Sequence, residues 1–79
     1  MKANRAYRLI VRRGGMGPSW LADPNRLDHI EVVEIDSGEV ELFWDAPSRD
    51  ARRILRALRA DLAALEADEF IDRWRGLTP

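Results

Sequence analysis

The chain has 79 residues, 46% of them hydrophobic and 34% charged, with a formal net charge of −1, no cysteine and a single histidine. These totals describe one small globular domain over residues 1–79, which buries too little surface to be stable by a wide margin. Disulfides and thiolate metal sites are excluded, a histidine-based metal cluster is disfavoured, and no apolar run approaches the length of a membrane span.

The start, Met1-Lys2-Ala3-Asn4-Arg5, is basic but has no apolar segment behind it, so it does not read as a secretion signal and the expected location is the cytoplasm. Twelve arginines against one lysine point to a GC-rich, bacterial coding sequence more than to a binding mode. Tyr7 to Arg13 sets Tyr7, Leu9 and Val11 against Arg8, Ile10 and Arg12, the period of a strand. Residues 1–13 carry Lys2, Arg5, Arg8, Arg12 and Arg13 and no acid.

Gly14-Gly15-Met16-Gly17-Pro18 ends that strand and opens a connection holding Trp20, Leu21 and Leu27, with one helical turn expected at residues 19–22. The glycines lack the Lys-Ser/Thr ending of a P-loop and the spacing of a dinucleotide fingerprint. They read as a connection. Met16 and Trp20 are costly to leave in water, which makes them candidate partner contacts.

Residues 28–36 and 39–44 flank Ser37-Gly38, a hairpin signal. A two-residue loop pairs Ile35 with Val40 and Val33 with Leu42, placing Val33, Ile35, Val40, Leu42 and Trp44 on one face. The second face then carries Glu34 and Glu41, and an apolar pair of Val32 opposite Phe43 that Ile10 extends. Seven acids and no Lys or Arg lie in residues 28–45. Their expected use is to pair with the basic first strand across the sheet.

His29 and Glu31, two apart on a strand, share a face as metal ligands can, but no third ligand stands at a recognisable spacing. Ser19, Ser37 and Ser48 are accounted for by loop, turn and helix cap, and one imidazole alone does not assemble a nucleophile, a base and an orienting group. Paired carboxylates on short strands have no second layer to enclose a substrate. The expectation is a non-enzymatic chain with no catalytic residues, no metal site and no cofactor.

Asp45-Ala46-Pro47-Ser48 ends the sheet, with Ser48 as the expected helix N-cap. Ala51, Ile54, Leu55, Leu58, Leu62 and Leu65 then fall in one sector of an amphipathic helix, and Arg49, Arg52, Arg53, Arg56 and Arg59 lie on the other side. Beyond residue 65 the stripe fails. On a continuous helix Phe70, Ile71 and Trp74 fall on the arginine side, and the helix outruns its sheet. Two outcomes stay open: a break near Ala67 followed by a short second helix capped by Asp68, or a continuous helix whose last turns face another partner. Gly76 is the expected stop.

The expected fold is therefore α+β: a three-stranded antiparallel sheet, β-β-β, with a C-terminal amphipathic helix on one face. The order resembles, in topology alone, the DNA-binding domains at the amino terminus of integrases. Those read DNA with a basic sheet, whereas this hairpin is acidic and would repel a duplex. The favoured function is a small protein–protein interaction module, self-associating as a homodimer, of a kind that also serves regulatory or inhibitory subunits with a larger protein partner. Its candidate interface is Ile10, Met16, Trp20, Val32, Phe43, Phe70, Ile71 and Trp74. Helix bases in the first half and acids in the second oppose the macrodipole, and an antiparallel pairing of two such helices would use that arrangement. The alternative is a nucleic-acid-binding protein whose phosphate contacts are Arg49, Arg52, Arg53, Arg56 and Arg59.

Overall fold

A computed structural model describes residues 1–13 and 27–77. The expectations for Met16, Trp20 and a helical turn at residues 19–22 lie outside the described residues. The described elements are α1 (Ala3–Ala6), β1 (Tyr7–Arg12), β2 (Leu27–Glu34), β3 (Val40–Pro47), α2 (Ser48–Ala64) and α3 (Ala67–Arg75). The three strands form one antiparallel sheet in the order β1-β2-β3, and the helices cover one face, so the fold is α+β as expected. No described helix is long and apolar enough to cross a membrane.

The β1–β2 pairing is regular: Tyr7, Leu9 and Val11 stand opposite Glu34, Val32 and Ile30. The β2–β3 hairpin is not. Near the turn Val33 faces Val40, but the next pair is Val32 with Leu42, so Glu41 is an extra residue in β3. Before this bulge the pairing has the parity of an even loop; after it the parity flips. Ile30 and Val32 therefore share the helical side with Leu42, Trp44 and Ala46. This corrects the expected faces. Val32 belongs to the core, fully buried, whereas Val33 lies on the opposite side of the sheet, and Ile35 and Val40 are each 47% exposed. The turn itself spans residues 35–38 between the Glu34–Glu39 pair, whose Glu34 N–H donates to the Glu39 carbonyl at 2.9 Å. Gly38 takes a positive φ of 74°, which glycine adopts without a Cβ penalty.

Ala51, Leu55, Leu58 and Leu62 recur at helical spacing and bury one stripe of α2 against the sheet. The helix begins at Ser48 itself, with Pro47 as the residue preceding it, one position later in the helix than the cap expected for Ser48. It ends at Ala64. Leu65 and Glu66 are extended, and α3 starts again at Ala67 with Glu66, not Asp68, at its cap position.

The break decides between the two outcomes left open by the pattern. α3 turns Phe70, Ile71 and Trp74 into the monomer's own core, at 0%, 7% and 7% exposure. Trp74 meets Trp44 edge-on at 5.6 Å between ring centroids, and Phe70 lies 5.8 Å from Tyr7. The Trp74 indole N–H donates to Asp61 at 2.9 Å, so its one polar atom is satisfied.

Leu58 is fully buried at the centre of this cluster. Leu58→Ala is expected to lower the unfolding free energy by about 2–5 kcal/mol, measured by urea denaturation. An unchanged midpoint would show that the α2 stripe is not the core.

Candidate functional site

The site is built from what the helices leave bare. Strand alternation sends Arg8, Ile10 and Arg12 of β1, His29, Glu31 and Val33 of β2, and Val40, Phe43 and Asp45 of β3 to the side away from α2 and α3. Across the strands these residues form three rungs: Arg8–Val33–Val40, Ile10–Glu31–Phe43 and Arg12–His29–Asp45. Phe43 is 57% exposed and Val40 and Ile35 47% each, while Val33 is buried beneath its neighbours. No described element packs on this face.

One polar cluster stands at its end. His29 donates from Nδ1 to an Asp45 oxygen at 2.7 Å and from Nε2 to a Glu31 oxygen at 3.1 Å. A ring that donates at both nitrogens is the imidazolium. The hydrogen bond to Asp45, then that to Glu31, raises the His29 pKa above the ordinary 6.5, against a smaller opposing effect of burial. The imidazole also lies 5.9 Å from the Phe43 ring. One histidine between two carboxylates binds charge and fixes side chains. Among the described residues no group of three or more His, Cys, Asp or Glu is arranged to hold a metal.

The sequence-derived interface divides. Ile10 and Phe43 lie together on the open face, Ile10 half-buried and Phe43 exposed. Val32, Phe70, Ile71 and Trp74 are core residues and are not available to a partner. Met16 and Trp20 lie outside the described residues. Val40, Ile35 and Asp45 were missed as surface residues because the bulge that exposes the first two leaves no clear mark in the sequence. The available signal was a pair of consecutive apolar runs, Val32-Val33 and Leu42-Phe43-Trp44, which no unbroken alternation can sort.

The expected cross-strand neutralisation is not formed. Arg8 faces Val33 and Arg12 faces His29, and none of the ion pairs among the described residues joins β1 to the hairpin acids. On α2 the five candidate phosphate contacts are all exposed but separate into two sides. Arg53 pairs with Asp50 at 2.8 Å, whereas Arg52, Arg56 and Arg59 line a cleft with Leu55 and with Arg13 at the end of β1.

Comparison with protein-family models, curated proteins and solved structures finds no match.

His29 is the chain's only histidine, so its ring signals titrate without overlap. Proton NMR is expected to give a midpoint above 6.5, and Asp45→Asn should move it down towards that value. Because the folded value is raised, this interaction stabilises the fold fully below the unfolded value. That contribution fades as pH rises through the folded one. A midpoint at or below 6.5 in the parent would show that the His29–Asp45 contact does not hold in solution.

Proposed function

We propose that this chain is a small, non-enzymatic, self-associating interaction module that acts in the cytoplasm and pairs with a second copy through the open sheet face. The observation that carries the reading is the exposure of Phe43, Val40 and Ile35 beside Ile10 and Val33 on a face that no described element covers. An apolar patch rimmed by charge is the usual mark of a protein-binding surface. The non-enzymatic half rests on the same geometry. Both ring nitrogens of His29 are engaged by carboxylates, and the Ser37 hydroxyl accepts from the Glu39 N–H within the turn. His29 and Ser37 are thereby engaged within the fold and do not face each other as a base and a nucleophile.

The charges support a second copy of the chain as the partner. A two-fold axis running along the strands lays β1 of one copy over β3 of the other. It brings Ile10 against Phe43, Arg12 against Asp45, and Arg8 against Val40 beside Glu39. The basic first strand, which makes no ion pair with the described hairpin acids, then meets the acidic hairpin of its mate. An axis across the strands would instead stack β1 on β1 and set arginine against arginine. Burying Phe43 contributes roughly 1.5–3 kcal/mol per copy, enough with its neighbours for a reversible dimer. Glu31 and His29 each meet their own symmetry mates near the axis, where the 3.1 Å contact between the two side chains keeps a carboxylate beside each imidazole.

The test is mass in solution. Light scattering at concentrations on the order of tens of micromolar should give a dimer that Phe43→Asp converts to a folded monomer. A parent protein that stays monomeric at high concentration would overturn self-association.

A further inference from the structure

The cleft between the end of β1 and the outer side of α2 is a separate feature. It is lined by Arg13, Arg52, Leu55, Arg56 and Arg59 and has a volume of about 320 Å³. Arg52, Arg56 and Arg59 stand at i, i+4 and i+7, which places three guanidinium groups in a row on one helix face over about 10 Å. Arg13 reaches the same cleft from a different element, and the buried Leu55 forms its floor. None of the four arginines makes an ion pair or hydrogen bond with a described residue. Elsewhere on the helices the pattern differs, since Arg53 pairs with Asp50 and Arg73 approaches Asp61 at 3.5 Å. Asp28 is buried in an adjoining smaller cleft that shares Arg13, Arg52 and Leu55. Among the described residues four arginines and no acid line the larger cleft, which gives it a positive potential in a chain whose net charge is −1.

We propose that this cleft binds a short phosphate chain, the shared chemistry of inorganic oligophosphates and nucleoside polyphosphates. Guanidinium forks match phosphate oxygens bidentately, and charge-assisted bonds of this kind are the strong ones. A row of three with a fourth opposite suits several linked phosphates better than a single one. Among the described residues the lining contains no aromatic side chain on which a base could stack, which favours recognition of the phosphate chain over a nucleobase. Compactness separates this ligand from a nucleic acid. A long strand or duplex would run past the cleft onto a molecule whose hairpin carries seven acids.

The experiment is calorimetric titration of the full chain at low salt with inorganic tripolyphosphate, orthophosphate, ATP and a thymidine oligonucleotide. Arginine side-chain NMR signals locate the binding. Tripolyphosphate is expected to bind about tenfold or more tighter than orthophosphate, to weaken with added salt, and to shift the Arg13, Arg52, Arg56 and Arg59 resonances. ATP should match tripolyphosphate to within about threefold, since the described lining offers its base no aromatic stacking partner. Arg52→Gln with Arg56→Gln should weaken binding by about tenfold or more, while Arg53→Gln, outside the cleft lining and paired with Asp50, should leave it within about twofold. Circular dichroism melting confirms that each variant is folded. The assignment is overturned by any of four results: no heat and no shifts with tripolyphosphate, equal loss in Arg53→Gln, ATP more than about tenfold tighter than tripolyphosphate, or the oligonucleotide tightest of all. The last result would make the surface a nucleic-acid site.

Discussion

The interruption of the C-terminal helix at Leu65–Glu66 is the constraint on which the rest of the structure depends. Two extended residues inside a helical run strand backbone groups that would otherwise bond within the helix. The first three residues of the chain supply the missing partners. The Ala3 N–H donates to the Leu65 carbonyl, the Ala67 N–H donates to the Met1 carbonyl, both at 2.9 Å, and Lys2 reaches the Ala64 carbonyl at 3.1 Å. The Met1 amino group adds an ion pair to Glu66 at 2.8 Å, which holds the Glu66 carboxyl below its usual range. Ala3 is fully buried at this junction. With the break held, α3 turns inward and its aromatic residues complete the core. A continuous helix would have left Phe70, Ile71 and Trp74 in water.

The break also accounts for the order of charge after α2, whereas α2 itself keeps bases at its start and none in its last turn. Taken as one helix, bases precede acids, the unfavourable sense for the macrodipole. Taken as two, Asp68 and Glu69 occupy the first turn of α3 and Arg73 and Arg75 its last, which is the favourable sense. In α2, Asp50 sits in the first turn. The acids of residues 66–69 therefore serve a new helix start, and no second, antiparallel helix is needed to make sense of them.

How much of this was legible follows from which signals are local. The first strand, the hairpin, the α2 stripe and the α+β class all rest on periodicities that survive folding, and Leu55, Leu58 and Leu62 are buried as their spacing implies. The bulge at Glu41 was not legible, because it is a choice of pairing made in three dimensions. Glu41 and Leu42 both turn toward the helices, where Arg75 stands 3.9 Å from the Glu41 carboxylate and Leu42 enters the core. The gain from placing Ile30, Val32, Leu42 and Trp44 together outweighs the exposure of Ile35 and Val40 at the turn. A pattern with apolar residues at both Val32 and Val33 supports either register, and only the presence of the helices selects one. The role of the first residues was hidden for a similar reason: their partners lie more than sixty positions away.

The same sorting leaves two surfaces of opposite character on opposite sides of β1. Arg8 and Arg12 alternate to the open face, opposite Val33 and His29, and make no ion pair with a described residue. Arg13, at the end of the strand, joins the helix side and meets Arg52, Arg56 and Arg59. A basic stretch of thirteen residues is thus divided by strand alternation into an edge for the sheet face and a wall for the cleft. The sheet lies between them, and no side chain is common to both, so a substitution on one should act independently of the other. The near-zero total charge conceals this division. The acids are concentrated in the hairpin and the junction, while Arg8 and Arg12 on the sheet face and Arg13, Arg52, Arg56 and Arg59 at the cleft make no ion pair with a described residue.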